Sequence, residues 1–282
     1  MLDNPANIHT AADLYLDLLR GVLTRTTVYE RYTALTAHQR PTKLVYRMAL
    51  PILERLLRPK GLEIVRRYQV DHAKREQGLD WPPDAETMVG LKRLDNVRSC
   101  MESILADGVP GDILETGVWR GGCSIYMKGI LAAHGDQERT VWLADSFEGL
   151  PRPDAERYPA DKGDMHWSRE HLPVSLETVQ ENFRRYALMD QRVRFLKGWF
   201  KDTMPVAPIS RLAILRLDGD MYESTIQVLD AMYGRVSQGG FVIVDDYGLK
   251  GCRTAVDDFR REHQIHDEMS PVDWSGVYWR RS

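Results

Sequence analysis

Apolar residues recur three and four apart through the first hundred positions. In AADLYLDLLRGVL, Leu14, Leu18, Leu19 and Val22 line one face of a predicted helix. MALPILERLL and LEIVRRYQVDHAKR continue in the same style, so residues 10–105 read as helical, without strand-like runs. Pro41, Pro51, Pro59, Pro82 and Pro83 punctuate the stretch. LDWPPDAETMVG reads as a connecting loop that ends in a helix start. The basic residues Arg55, Arg58, Lys60, Arg66 and Arg67 fit solvated helix faces better than a binding patch.

From Asp112 the pattern changes. DILETGV, TVWLADSF, VRFLKGWF, LAILRLDGD and FVIVDDY are short apolar runs with the length of strands. Between them lie helical stretches: SIYMKGILAAHG, SLETVQENFRRYAL with its Ser start signal, and YESTIQVLDAMYGRV, closed by Gly239 and Gly240. CRTAVDDFRREHQ adds another helix, and IHDEMSPVDWSGVYWRR reads as two strands. Strands alternating with helices imply an α/β fold: a mostly parallel sheet with right-handed crossovers. The last two strands suit an antiparallel C-terminal hairpin. The division expected is 1–105, a helical N-terminal region, and 106–282, the sheet domain.

Composition narrows the function classes. The 282 residues are 43% hydrophobic, enough for a sizeable core. A net charge of −3 gives no reason to expect nucleic acid or an anionic membrane as partner. Cys100, Cys123 and Cys252 form no CxxC pair, which argues against a disulfide framework or a zinc site. MLDNPANIHTAADLYLDLL has no basic segment before an apolar core, so it does not read as a secretory signal. No apolar run approaches the ~18 residues of a membrane span. A cytoplasmic location is expected.

In open α/β sheets ligands bind beyond the carboxyl ends of the strands, and here those ends carry acids and glycines. The first strand ends in ETGVWRGG. Its glycines, Gly117, Gly121 and Gly122, lack the G-x-G-x-x-G spacing of dinucleotide binders. They still allow a tight turn and close approach of a ligand; an ordinary strand-to-helix turn is the alternative. The second strand ends at Asp145, which is suited to accept from the two hydroxyls of a ribose, or else to cap a helix. Glu115, Thr116, Gly117, Asp145 and Ser146 together suggest an adenosine-containing cofactor without a pyrophosphate. S-adenosylmethionine fits.

Strands four and five end in Asp218 and in the pair Asp245–Asp246. Neighbouring strands would bring the three carboxylates together, where they repel unless protonated or neutralised. A hard divalent cation such as Mg²⁺ is the natural partner, and no His or Cys joins to favour zinc. Asp218 is also the candidate base for a metal-bound hydroxyl. Asp220, after Gly219, is read as a cap for the helix near Tyr222. Separate caps and surface ion pairs are the alternative.

ILETGVWRGG, WLADSFEGLP, KGWFKDTMP, LRLDGDMYEST and VIVDDYG resemble the macrocin O-methyltransferase family, over roughly residues 105–282. The resemblance implies a class I methyltransferase fold, S-adenosylmethionine, Mg²⁺ and bacterial sugar O-methylation. It implies metal ligation by Asp218, Asp245 and Asp246, and cofactor contacts at Glu115, Gly117 and Asp145. It also implies that Gly198 and Trp199 lie near the adenine. The long polar segment EGLPRPDAERYPADKGDMHWSREHLPVS is expected to close over the cofactor, with His166 and His171 in it. The helical first hundred residues look longer than in macrolide-modifying members. They are expected to shape the acceptor pocket and to build a homo-oligomer, a dimer.

The acceptor expected is a glycoside or oligosaccharide: a deoxysugar of a natural product, or a partly methylated mannoside. The competing readings are methylation of a catechol or other phenolic diol, a nicotinamide dehydrogenase, and a non-catalytic adenosyl-cofactor-binding protein.

Overall fold

The computed structural model describes residues 9–28, 31–34, 44–68 and 70–282; Pro41 lies outside them. Six elements precede the main sheet: α1 Ala11–Leu23, β1 Arg31–Ala34, α2 Leu44–Leu57, β2 Val65–Tyr68, α3 His72–Gln77 and α4 Leu91–Ala106. Then follow β3 Asp112–Thr116, α5 Gly122–Ala133, β4 Val141–Asp145, α6 Leu176–Arg185, β5 Val193–Lys197 and α7 Phe200–Thr203. The chain ends with β6 Leu212–Leu217, α8 Tyr222–Met232, β7 Val236–Val244, α9 Lys250–Glu262, β8 Ser270–Pro271 and β9 Val277–Arg280.

The sheet has seven strands in the order β5-β4-β3-β6-β7-β9-β8. β3 to β7 run parallel, while β9 and β8 are the antiparallel C-terminal pair. This is a class I methyltransferase-like fold. Strand alternation sorts the apolar side chains to two faces. Ile113, Leu143, Ile214 and Ile243 join one core, and Leu114, Ala144, Leu215 and Val242 the other. α5 and α6 cover the first face, α8 and α9 the second.

Leu16, Leu19 and Leu23 of α1 and Leu94, Val97 and Met101 of α4 belong to the same core as α5. Leu19 reaches Gly129 of α5, where a Cβ would collide with its side chain. The core is therefore continuous across the boundary drawn at residue 105.

Four expectations change. The buried face of α1 is Leu16, Leu19 and Leu23, while Leu14 and Leu18 are exposed. LEIVRRYQVDHAKR is not one helix: Val65–Tyr68 pairs antiparallel with Arg31–Ala34, and only His72–Gln77 is helical. Gly61, at φ +70, ends the preceding helical turn, and the β-branched Ile64 and Val65 favour extended backbone. Pro51, by contrast, sits inside α2 without ending it. Gly239 and Gly240 do not close a helix but lie inside β7, which starts at Val236. The pairing of β6 with β7 shifts register there, and Gly239 takes φ +81, as a bulge requires. Among the described residues no helix is long and apolar enough to cross a membrane.

Candidate active site

The chain reverses its order of travel across the sheet between β3 and β6, the position where such sheets bind ligands. Gly117 follows β3 and Asp218 follows β6. Gly117 has φ +80, and a Cβ there would overlap the Asp218 carbonyl oxygen. Its glycine is thus required by the approach of one strand end to another, a reason independent of any ligand.

A cavity of about 330 Å³ opens above these ends. Gly117, Asp145, Ser146, Gly198, Trp199 and Asp218 line it. Glu115, Thr116, Asp245 and Asp246 are not on its wall. Asp145 is part-buried and its oxygens accept from Val118 N–H (2.8 Å) and Phe147 N–H (2.7 Å). Burial raises its pKa, and these backbone donors oppose that. The Ser146 hydroxyl donates to Gly149 O (2.6 Å) and accepts from Glu148 N–H, shaping the turn beneath the cavity.

Glu115 lies below the site. It is in register with Arg216 on β6, and Arg216 Nη1 bonds its Oε1 at 2.6 Å. Ser124 donates to its other oxygen. The same Arg216 Nη1 reaches Asp218 at 2.9 Å, and Nη2 bonds Asp245. Arg216 is 0% exposed. From α4, Arg93 bonds Asp245 and, at 2.7 Å, Asp273. The sequence reading assigned neither arginine. The signal was present in LAILRLDGD: a guanidinium inside a fully buried strand cannot stay without acids around it.

Asp218, Asp245 and Asp246 do converge, with one ligand atom of each within 4.8 Å of the others. Their charges differ in how they are compensated. Burial raises the Asp245 pKa, but Arg216 and Arg93 outweigh it and hold the carboxyl below its usual range. Burial and the neighbouring Asp245 push Asp218 up to about 7 against the pull of Arg216. Asp246 is raised by burial and by Asp220, Asp218 and Asp245. Among the described residues Glu115, Asp218, Asp245, Asp246 and Asp273, with Asp220 beside Asp246, cluster around Arg216 and Arg93. The donor set is all oxygen, crowded and short of positive charge, which fits a hard divalent cation.

Asp220 does not cap α8. It has φ +59 and its N–H donates to Asp246 Oδ2 at 3.0 Å. Burial raises its pKa to about 6, with His166 opposing. The cap comes from the long segment: Asp161 accepts from Tyr222 N–H (2.7 Å) and Glu223 N–H (2.9 Å). These two bonds tie the segment to the start of α8, and Gly149, Leu150, Pro151, Arg152 and Leu172 of the same segment wall the cavity. The ring of His166 is held by Asp164 (Nδ1 to Oδ2, 2.8 Å). His171 packs its ring against Trp81, and its carbonyl accepts from Trp119 Nε1 at 2.8 Å.

The profile of the family described as macrocin-O-methyltransferase (TylF) matches residues 12–281. The chain belongs to the macrocin O-methyltransferase family. The match extends the resemblance over the N-terminal helices. It is an O-methyltransferase of an S-adenosylmethionine-dependent family. A Streptomyces olivaceus protein, 8-demethyl-8-(2,3-dimethoxy-alpha-L-rhamnosyl)-tetracenomycin-C 4'-O-methyltransferase, is 49% identical over 273 residues, 96% of this chain and 94% of its own. Mycinamicin III 3''-O-methyltransferase of Micromonospora griseorubida is 56% identical over 211 residues, 74% of this chain and 83% of its own. Among solved structures the O-methyltransferase NovP superposes with TM-score 0.81 at 44% identity, covering 96% of this chain and 99% of that one. The calicheamicin methyltransferase, at 16% identity and TM-score 0.53, shares the fold.

Proposed function

We propose that this macrocin O-methyltransferase family member methylates a deoxysugar hydroxyl on a natural-product glycoside, using S-adenosylmethionine and a divalent cation, with Mg²⁺ the expected one. The observation that carries the reading is the cavity at the β3–β6 reversal, whose wall includes Asp218, a member of the three-aspartate cluster. Relatives named for methylation of a rhamnosyl tetracenomycin and of mycinamicin III support the acceptor class.

The cavity suits the cofactor. Gly117 and Gly198 keep its floor free of side chains, Asp145 offers its carboxylate, and Trp199 presents an apolar surface. When bound, S-adenosylmethionine supplies an electrophilic methyl group, and a cation held by Asp218, Asp245 and Asp246 acidifies and orients an acceptor hydroxyl. Asp218 would accept the hydroxyl proton, because it alone of the three aspartates lines the cavity. Asp145, Gly117, Gly198 and Trp199 would hold the cofactor with its methyl group toward the hydroxyl at Asp218. Arg216 and Arg93 fix Asp245, so the carboxylates do not reorganise during the reaction. The segment pinned by Asp161 excludes water above the cavity.

The test is calorimetric binding of S-adenosylmethionine, S-adenosylhomocysteine and NAD, with and without Mg²⁺, followed by turnover on deoxysugar glycosides, mannosides and catechols. Binding of the two adenosyl compounds and methylation of a deoxysugar glycoside are expected. Methylation confined to catechols would overturn the acceptor assignment.

A further inference from the structure

Two tryptophans beside the site are half exposed: Trp81 at 54% and Trp274 at 55%. Large aromatic side chains left in solvent near a cavity are costly unless something covers them. Both are held in place. Trp274 donates its indole N–H to Gln77 O at 2.8 Å, and the Arg93 guanidinium lies 5.5 Å from its ring centre. Trp81 follows four residues after Gln77, with the Arg169 guanidinium 5.0 Å and the His171 ring 5.6 Å away. Leu79, between them in sequence, is 56% exposed.

The segment carrying Trp81 is stapled from below. Arg75, fully buried, donates to Met88 O at 2.9 Å and to Val89 O, and pairs with Asp80 at 3.3 Å. Trp81 is thus presented on fixed backbone, and Trp274 is held by its indole bond to Gln77 of the same segment, which lowers the entropy lost on contact with a ligand.

Their position relative to the chemistry follows from shared partners. Arg93 touches both Trp274 and Asp245, so Trp274 stands one side chain back from the three-aspartate cluster. His171 touches both Trp81 and Trp119, and Trp119 lines the cofactor cavity. A sugar whose hydroxyl reaches Asp218 would have its substituent near these rings.

We infer that Trp81 and Trp274 form an aromatic platform that receives the flat, apolar aglycone attached to the acceptor sugar. This rests on the glycoside reading above. The platform would select acceptors by what the sugar carries, while the aspartates act on the sugar hydroxyl itself.

The experiment measures binding of 4-nitrophenyl α-L-rhamnopyranoside and methyl α-L-rhamnopyranoside to the full-length protein, with S-adenosylhomocysteine and Mg²⁺ present. The wild type is expected to bind the aryl glycoside at least about tenfold more tightly, the scale of one good aromatic contact. Trp81→Ala and Trp274→Ala should each lose most of that preference, Trp81→Phe should keep it, and all should bind S-adenosylhomocysteine normally. Equal affinity for the two glycosides, no binding of the aryl glycoside, or a full preference retained in both alanine variants overturns the platform. Failure of the wild type to bind S-adenosylhomocysteine would instead bring down the methyltransferase reading on which it rests. If Trp274→Ala fails to fold, the Trp81 pair of variants decides alone.

Discussion

Arg93 on α4 bonds Asp245 at the end of β7, across 152 positions of sequence. An element outside the main sheet therefore holds a member of the aspartate cluster. Both groups are buried, and Arg93 shares its guanidinium with Asp273. Removing one partner of such a pair leaves an uncompensated charge. Arg93→Met is expected to cost about 3 kcal/mol of unfolding free energy, read by urea denaturation. A loss below about 1 kcal/mol would mean that Arg216 alone suffices for Asp245.

Asp218→Asn should abolish turnover while the fold and cofactor affinity persist. The side chain reaches the cavity, and its one salt bridge, to Arg216, leaves that arginine two other acids. Single-turnover assays and S-adenosylhomocysteine calorimetry separate the two effects. Retained turnover would remove Asp218 as the base.

The raised pKa values of Asp218, about 7, and Asp220, about 6, give a pH-dependent response to metal. Each folded-state pKa lies above the unfolded value near 4, so the folded state binds the proton more tightly. Their contribution to stability is therefore present at low pH and declines as pH rises from about 4 through about 7. Asp245, depressed by its arginines, titrates below that window. A cation competes with these protons. The Mg²⁺-induced rise in melting temperature should be small at pH 5.5 and larger at pH 8. A shift independent of pH would place the cation elsewhere.

Asp161→Ala should loosen the segment over the cavity. It removes the acceptor for two N–H groups at the start of α8. Loss of a cap costs about 1–2 kcal/mol. Trypsin should then cut faster at Arg157, Lys162 and Arg169 than in the wild type. Equal cleavage rates would show that other contacts hold the segment.

Gly117→Ala should be among the most damaging single changes, because the added carbon meets the Asp218 carbonyl and the backbone has positive φ. Strain of this kind costs at least about 1–3 kcal/mol, and a shifted Asp218 would depress cofactor affinity as well. Calorimetry and thermal melting report both.

The strand ends were readable because each apolar run stops at an acid or a glycine, and the period of two sorted the faces. Asp218, Asp245 and Asp246 could be grouped once β6 and β7 were taken as neighbours. The answer to their mutual repulsion was only half legible. Arg216 was visible as a charge inside LAILRLDGD, but Arg93 is joined to the cluster only by tertiary packing of α4, which no local pattern encodes. The same limit hid Asp161, a cap delivered from sixty-one residues upstream of Tyr222. VRRY was misread because its exposed charged positions carry no amphipathic period. Glu115 looked like a ligand-facing acid, yet its register with Arg216 puts it beneath the cavity.

The packing of α1 against α5 sets an order on the chain's synthesis. Leu16, Leu19 and Leu23 close the same core as Ile125 and Ile130, but α5 begins at Gly122 and α1 ends at Leu23. A growing polypeptide must add roughly a hundred residues before α1 meets its partner, about 5–20 s at ordinary elongation rates. Through that interval its apolar face is open to chaperones or to neighbouring nascent chains, so yield on overexpression should respond to translation speed.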